Sequence, residues 1–215
     1  MKSPKIADSR SKSGTVGRMV AFSDGVIAII ITIMVLELKA PVLEGTIQSD
    51  FDFSFLYSLA PKFLAYLISF AFIATAWFNH VGAMRGLNRS SLLLLWFNVL
   101  YLFSLSLFPW ATAFLGDHPF LPQAVALWGL VGTLTFFTLG ILLTWHIDKL
   151  DHLVPAWIKR RNIFGVGLMA SSVPLAFMSV YAAWFVIIAT VLFCGLPFRI
   201  QMQIFSSKSD RLARS

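Results

Sequence analysis

Charge is what this 215-residue sequence has least of. Asp, Glu, Lys and Arg make up 13% of it, against about 25% in an ordinary soluble domain. Hydrophobic residues reach 58% and aromatics 15%, more apolar surface than a soluble core of this length has room to bury. Cysteine is nearly absent. The lone Cys194 sits in an apolar run, which excludes an intrachain disulfide framework or a thiolate metal site and leaves it as inert packing. Acidic residues are scarce as well, 10 against 17 basic ones, for a net charge of +7. No basic stretch is interleaved with aromatics in a polar domain, so this excess is not a nucleic-acid surface. It is a topology signal. Nor is there a small-residue cleavage site behind the first apolar run, which ends in Leu36-Glu37-Leu38-Lys39. The basic start is therefore not a signal peptide, and the run is read as a retained first helix.

What the sequence does have is a series of apolar runs near the length of a bilayer-spanning helix. The fold class expected is an all-α membrane protein with six transmembrane helices, at about 18–38, 55–81, 91–114, 121–146, 162–178 and 182–198. A basic segment, 1–17, precedes the six-helix domain of 18–200, and a basic tail, 201–215, follows it. An acidic linker with Glu44, Asp50 and Asp52 separates the first two helices, and Gly116-Asp117-His118-Pro119 makes a tight turn into the fourth. A polar loop through Asp148, Lys149 and Asp151 leads to Lys159-Arg160-Arg161. The last stretch, 162–198, is nearly twice one span, so a turn is expected near 179–182. With the N-terminus cytoplasmic, 15 basic residues lie inside and only Lys39 and Lys62 outside. That bias predicts an inner-membrane protein with both termini in the cytoplasm.

The first helix carries the unusual residues. Ser23 or Asp24 as an N-cap would start it at Gly25, leaving about 21 Å of helix for a hydrocarbon core of about 30 Å. A start at Arg18 fits the bilayer and puts Arg18 and Asp24 in its cytoplasmic third, where ionisable groups mark functional sites. Ile29, Thr32 and Leu36 then share one stripe. Such a stripe alone is commonly a packing face, and its Thr commonly bonds back to its own helix. Trp77 reads equally as an interfacial aromatic and His80 as a residue touching water near a helix end. Asn98, an amide at mid-membrane, needs a hydrogen-bonding partner. Pro109 and Pro174 mark kinks or breaks.

Arg18-x-x-x-Phe22-Ser23-Asp24-Gly25, with a β-branched run behind it, resembles the signature of the Transmembrane Protein 175 family of potassium channels. Trp77-x-x-His80 in the second helix and Asn98 in the third resemble that family too. The resemblance covers the six-helix pattern, with its specific motifs in the first half. It implies the bacterial type, with one six-helix unit per chain and a homotetramer around a central pore lined by the first helix. It also implies that Ile29, Thr32 and Leu36 face the pore. Four Ile29 side chains would form an apolar constriction, and four Thr32 hydroxyls would contact a partly dehydrated, transient potassium ion. No carbonyl-lined filter loop of the Thr-Val-Gly-Tyr-Gly kind interrupts the helices, in keeping with this. Trp77, His80 and Asn98 would pack against Ser23 and Asp24 and fix the rotation of the pore helix.

The expected function is passive potassium conduction, with potassium, the lipid bilayer and further copies of the chain as partners, no nucleic acid, no cofactor and no fixed metal. Two readings of other classes remain. A secondary transporter would call for inverted repeats or matching broken segments, which are not evident. An intramembrane hydrolase would use Ser23 as nucleophile and His80 as base, yet no Gly-rich elbow accompanies Ser23.

Overall fold

Within a bilayer every backbone N–H and C=O has to be satisfied by the protein itself, which a helix does within one segment. The computed structural model describes residues 4–38, 54–84, 91–147 and 156–195, and it is all-helical. Seven helices follow in order: α1 (Pro4–Val35), α2 (Ser54–Met84), α3 (Leu92–Ser106), α4 (Phe108–Asp117), α5 (Pro122–Ile147), α6 (Ala156–Met178) and α7 (Val180–Gly195). Four segments are long and apolar enough to cross a membrane: Gly14–Val35, Leu59–Met84, Leu92–Asp117 and Pro122–Leu143. α7 is apolar but shorter. Since α3 and α4 share one span, the helices make six rods.

The boundaries differ from expectation where hydropathy and helix formation part company. α1 starts at Pro4 rather than near residue 18, so the basic N-terminal segment is a helical extension of the first span. Pro is favoured in a first helical turn, where its missing N–H costs nothing, and polar residues do not themselves stop a helix. Its 32 residues give a rod of about 48 Å, longer than the hydrocarbon core. α6 starts at Ala156, directly after Pro155, so Arg160 and Arg161 are helical rather than part of a preceding loop. The third rod breaks at Leu107 because Pro109 has no N–H for the carbonyl of Leu105, which accepts from Leu107 instead. The turn between α6 and α7 shrinks to Ser179, whose carbonyl already accepts from Ala183. Pro174 stays inside α6. The acidic linker, the loop through Lys149, Lys39 and the tail 201–215 lie outside the described residues.

An aromatic cluster joins α2, α4 and α5. Phe72 stacks on Phe108 at 4.7 Å, and Trp128 meets both rings edge-on at 5.4 Å. Beside it Ser69 accepts from Trp128 Nε1 at 2.8 Å and from Thr112 Oγ1 at 2.7 Å, so each buried polar tip has a partner. α5 is the most enclosed of the four spans. α6 lies on it at close range because glycines face it: a Cβ on Gly129 would collide with Ser172 Oγ, and one on Gly132 would come within 3.1 Å of Met169. α1 packs on α2, α3 and α4 through Met19, Ser23, Ile27, Ile30 and Met34, and its opposite face is uncovered.

Candidate pore helix and its polar clamp

Two faces of α1 divide the motif between them. Arg18, Phe22, Gly25, Ile29, Thr32 and Leu36 are all exposed on the single chain. They recur at alternating spacings of four and three, so they form one continuous seam along the helix. Ile29 is 58% exposed and Leu36 71%, while Ile27, on the opposite face of the helix from Ile29, is 2% exposed. Leu36 extends the seam past the end of α1 through a turn whose N–H groups reach back three residues. Thr32 donates its hydroxyl proton to the carbonyl of Ile29 at 2.9 Å, the local bond commonly made by a threonine in a helix. That bond turns the oxygen lone pairs away from the backbone.

Ser23 and Asp24 face the other way, toward α2 and α3. His80 Nε2 and Asn98 Oδ1 are 2.8 Å apart, and since the amide oxygen only accepts, the ring nitrogen donates. Asn98 Nδ2 donates to Ser23 Oγ at 2.8 Å, and Ser23 Oγ donates to the carbonyl of Met19 at 2.9 Å. Every donor in this chain therefore points from α2 through α3 toward α1. His80, Asn98 and Ser23 are all but fully buried. Alongside, Trp77 Nε1 donates to Asp24 Oδ1 at 2.9 Å. The imidazole of His80 lies parallel to the Tyr101 ring at 5.2 Å, and the Tyr101 hydroxyl donates to the carbonyl of Ala76. His80 Nδ1 has no partner among the described residues.

The five residues Ser23, Asp24, Trp77, His80 and Asn98 thus meet. Arg18 and Phe22 do not join them: both are exposed, Phe22 about 100° and Arg18 about 140° round α1 from Ser23. Asn98 stands between Ser23 and His80, so the nucleophile and base of a hydrolase are not in contact. Sequence reasoning passed over Asn79, whose Oδ1 accepts from Arg161 Nη2 at 2.7 Å, and the Ser69 hub. The signal for Asn79 was its place beside His80. For Ser69 there was none, since a lone serine in a span is ordinarily satisfied by its own helix.

Residues 18–109 match the family described as endosomal/lysosomal potassium channel TMEM175. The chain is 34% identical over 175 residues to a potassium channel of Chamaesiphon minutus, covering 77% of this chain and 86% of that protein. It belongs to the TMEM175 family. A potassium channel of a Chryseobacterium strain is 44% identical over 116 residues, a match that spans 54% of this chain and 57% of the relative. The crystal structure of a lysosomal potassium-selective channel TMEM175 homolog from Chamaesiphon minutus superposes with a TM-score of 0.76 at 29% identity, covering 84% of this chain and 96% of that one. The chain is thus a multi-pass membrane protein with a TMEM175 fold. The family is one of ion channels, not of enzymes or of carriers, which removes both the hydrolase and the transporter readings. Among the described residues no group of three or more His, Cys, Asp or Glu is placed to hold a metal.

Proposed function

We propose that this chain conducts potassium passively through a pore on the axis of a homotetramer, each copy contributing the α1 seam. The observation that carries this reading is the uncovered stripe of Ile29, Thr32 and Leu36, exposed on one chain and continuous with the family motif. A single α1 encloses nothing, so a pathway built on this stripe requires several copies. Ile29 is the apolar constriction, and a ring of Ile side chains excludes water and ions when narrow. Thr32 is the oxygen ring: with its proton held by the Ile29 carbonyl, its lone pairs are free for a cation that has shed part of its water. Potassium sheds water more readily than the smaller sodium, which gives the ring its preference. Ser23, Asp24, Trp77, His80 and Asn98 hold α1 in the rotation that keeps the stripe on the axis. Both termini are cytoplasmic and the host is the cell's inner membrane, a reading that the distribution of Lys and Arg supports.

Purified protein in a planar bilayer under opposed potassium and sodium gradients tests the reading. The expected current reverses near the potassium equilibrium potential, and native mass measurement gives four chains. Ile29→Asn raises the leak, because a polar ring admits water. A strictly monomeric protein, or net movement of potassium against its gradient, would refute it.

A further inference from the structure

α2 is held on two sides within a single turn. Trp77 and His80, three residues apart, share the side that meets α1 and α3. Asn79 lies about 100° away from His80 around the helix and faces α6. There Arg161, 8% exposed, donates from Nη2 to Asn79 Oδ1 at 2.7 Å. This reach is long. α6 packs chiefly on α5 and α7, and it is α7 rather than α6 that lies along α2. The guanidinium therefore extends past its own layer to a helix that its backbone does not flank. Burying a guanidinium costs desolvation that packing alone does not require, since apolar residues of similar volume fill such space as well or better.

We propose that Arg161 is a positioning residue of the pore helix: by holding Asn79 it sets the rotation of the α2 turn that carries Trp77 and His80, and so sets how often the pore is open. This rests on the reading of α1 as the pore helix. The chain of contact runs from Arg161 to Asn79, through the rigid α2 turn to Trp77 and His80, and from these to Asp24 and, by way of Asn98, to Ser23. Four helices are linked in this way. Rotation of α2 by a fraction of a turn cannot satisfy one side without releasing the other. None of the residues on this path lies on the exposed seam, so the path changes the fraction of time the pore conducts and leaves what passes through it unaltered.

Two variants of the full-length protein, recorded as single channels in planar bilayers under a potassium gradient, test the proposal. Asn79→Asp keeps the side-chain shape and gives Arg161 an ionic acceptor, tightening the link. The pair Asn79→Leu with Arg161→Met removes both members of the link together. Open probability is expected to move in opposite directions in the two, by roughly tenfold each, with unitary current and reversal potential as in wild type. A shift in the same direction in both, or open probability within about twofold of wild type, overturns the proposal. Should the double variant fail to assemble, Asn79→Asp decides alone, because it keeps an acceptor for Arg161 in place. A wild-type protein that carries no current would remove the channel reading and this inference with it, whereas a conducting wild type with unmoved variants removes this inference only.

Discussion

Replacing Asn98 by Leu separates a structural lock from a decorative hydrogen bond. The side chain makes two interhelical bonds of 2.8 Å, one accepted from His80 and one donated to Ser23. Interhelical hydrogen bonds in membranes contribute about 0.6 kcal/mol on average and up to about 1.7, so the two together contribute about 1–3 kcal/mol. The upper part of that range applies here. His80 Nδ1 is already without a described partner, so losing Asn98 leaves the buried ring with neither nitrogen paired. Ser23 loses less, because its hydroxyl proton stays on the Met19 carbonyl. Unfolding in mixed detergent micelles, followed by tryptophan fluorescence, reads the loss. Adding His80→Phe to Asn98→Leu retains the ring stacked on Tyr101 and removes the orphaned imidazole, so at least half of the lost stability should return. Asn98→Leu unfolding within about 0.3 kcal/mol of wild type, or a double variant whose losses simply add, would refute the lock.

Thr32→Val keeps the shape of the side chain and deletes the hydroxyl, so current persists while potassium-over-sodium preference falls; a fall of about tenfold, or 1.4 kcal/mol, is read as a shift in reversal potential. Gly129→Ala drives a methyl group into Ser172 Oγ across the α5–α6 contact and should cost about 1–3 kcal/mol in the same unfolding assay, with the reversal potential unchanged. Lys62→Gln breaks the 2.7 Å ion pair with Asp117, but those side chains are 36% and 54% exposed, so the change in stability should not exceed about 0.5 kcal/mol. A cysteine introduced at Gly45 should react with a membrane-impermeant reagent from outside the cell and one at Ser209 should not; the opposite pattern contradicts cytoplasmic termini.

Much of this molecule was legible because a bilayer narrows the choices. An apolar run of span length becomes a helix, and a polar residue inside one has to be explained by a partner. Asp24 and Asn98 stood out on that ground, whereas His80 alone reads as a residue touching water near a helix end and gained its place through the family motif. What hydropathy could not report was where a helix begins. It measures preference for lipid, and α1 continues through residues 4–17 because no proline interrupts them after the first turn. The same limit hid α6, whose first turns carry Arg160 and Arg161. Counting these arginines for orientation obscured what one of them does, since a tally of charges treats a side chain bound to Asn79 like one in water. The break at Leu107 was foreshadowed by Pro109, although sequence alone left open whether that residue would kink the rod or divide it. The two-sided character of the motif, with Ser23 inward and Phe22 outward, is a matter of rotation that no composition records.

The bond from Thr32 to the Ile29 carbonyl also bears on how the protein is made. In the proposed tetramer a newly inserted chain starts without a sister subunit, and until it meets one the stripe of α1 must be solvated by acyl chains. A free hydroxyl there would be a polar group stranded in hydrocarbon, at a cost of several kcal/mol. Because the proton is already satisfied within the helix, lipid tolerates the single chain, and the copies of the proposed tetramer would have time to diffuse and find one another. The residue proposed to meet an ion in the tetramer is thus also one that lipid tolerates in the single chain.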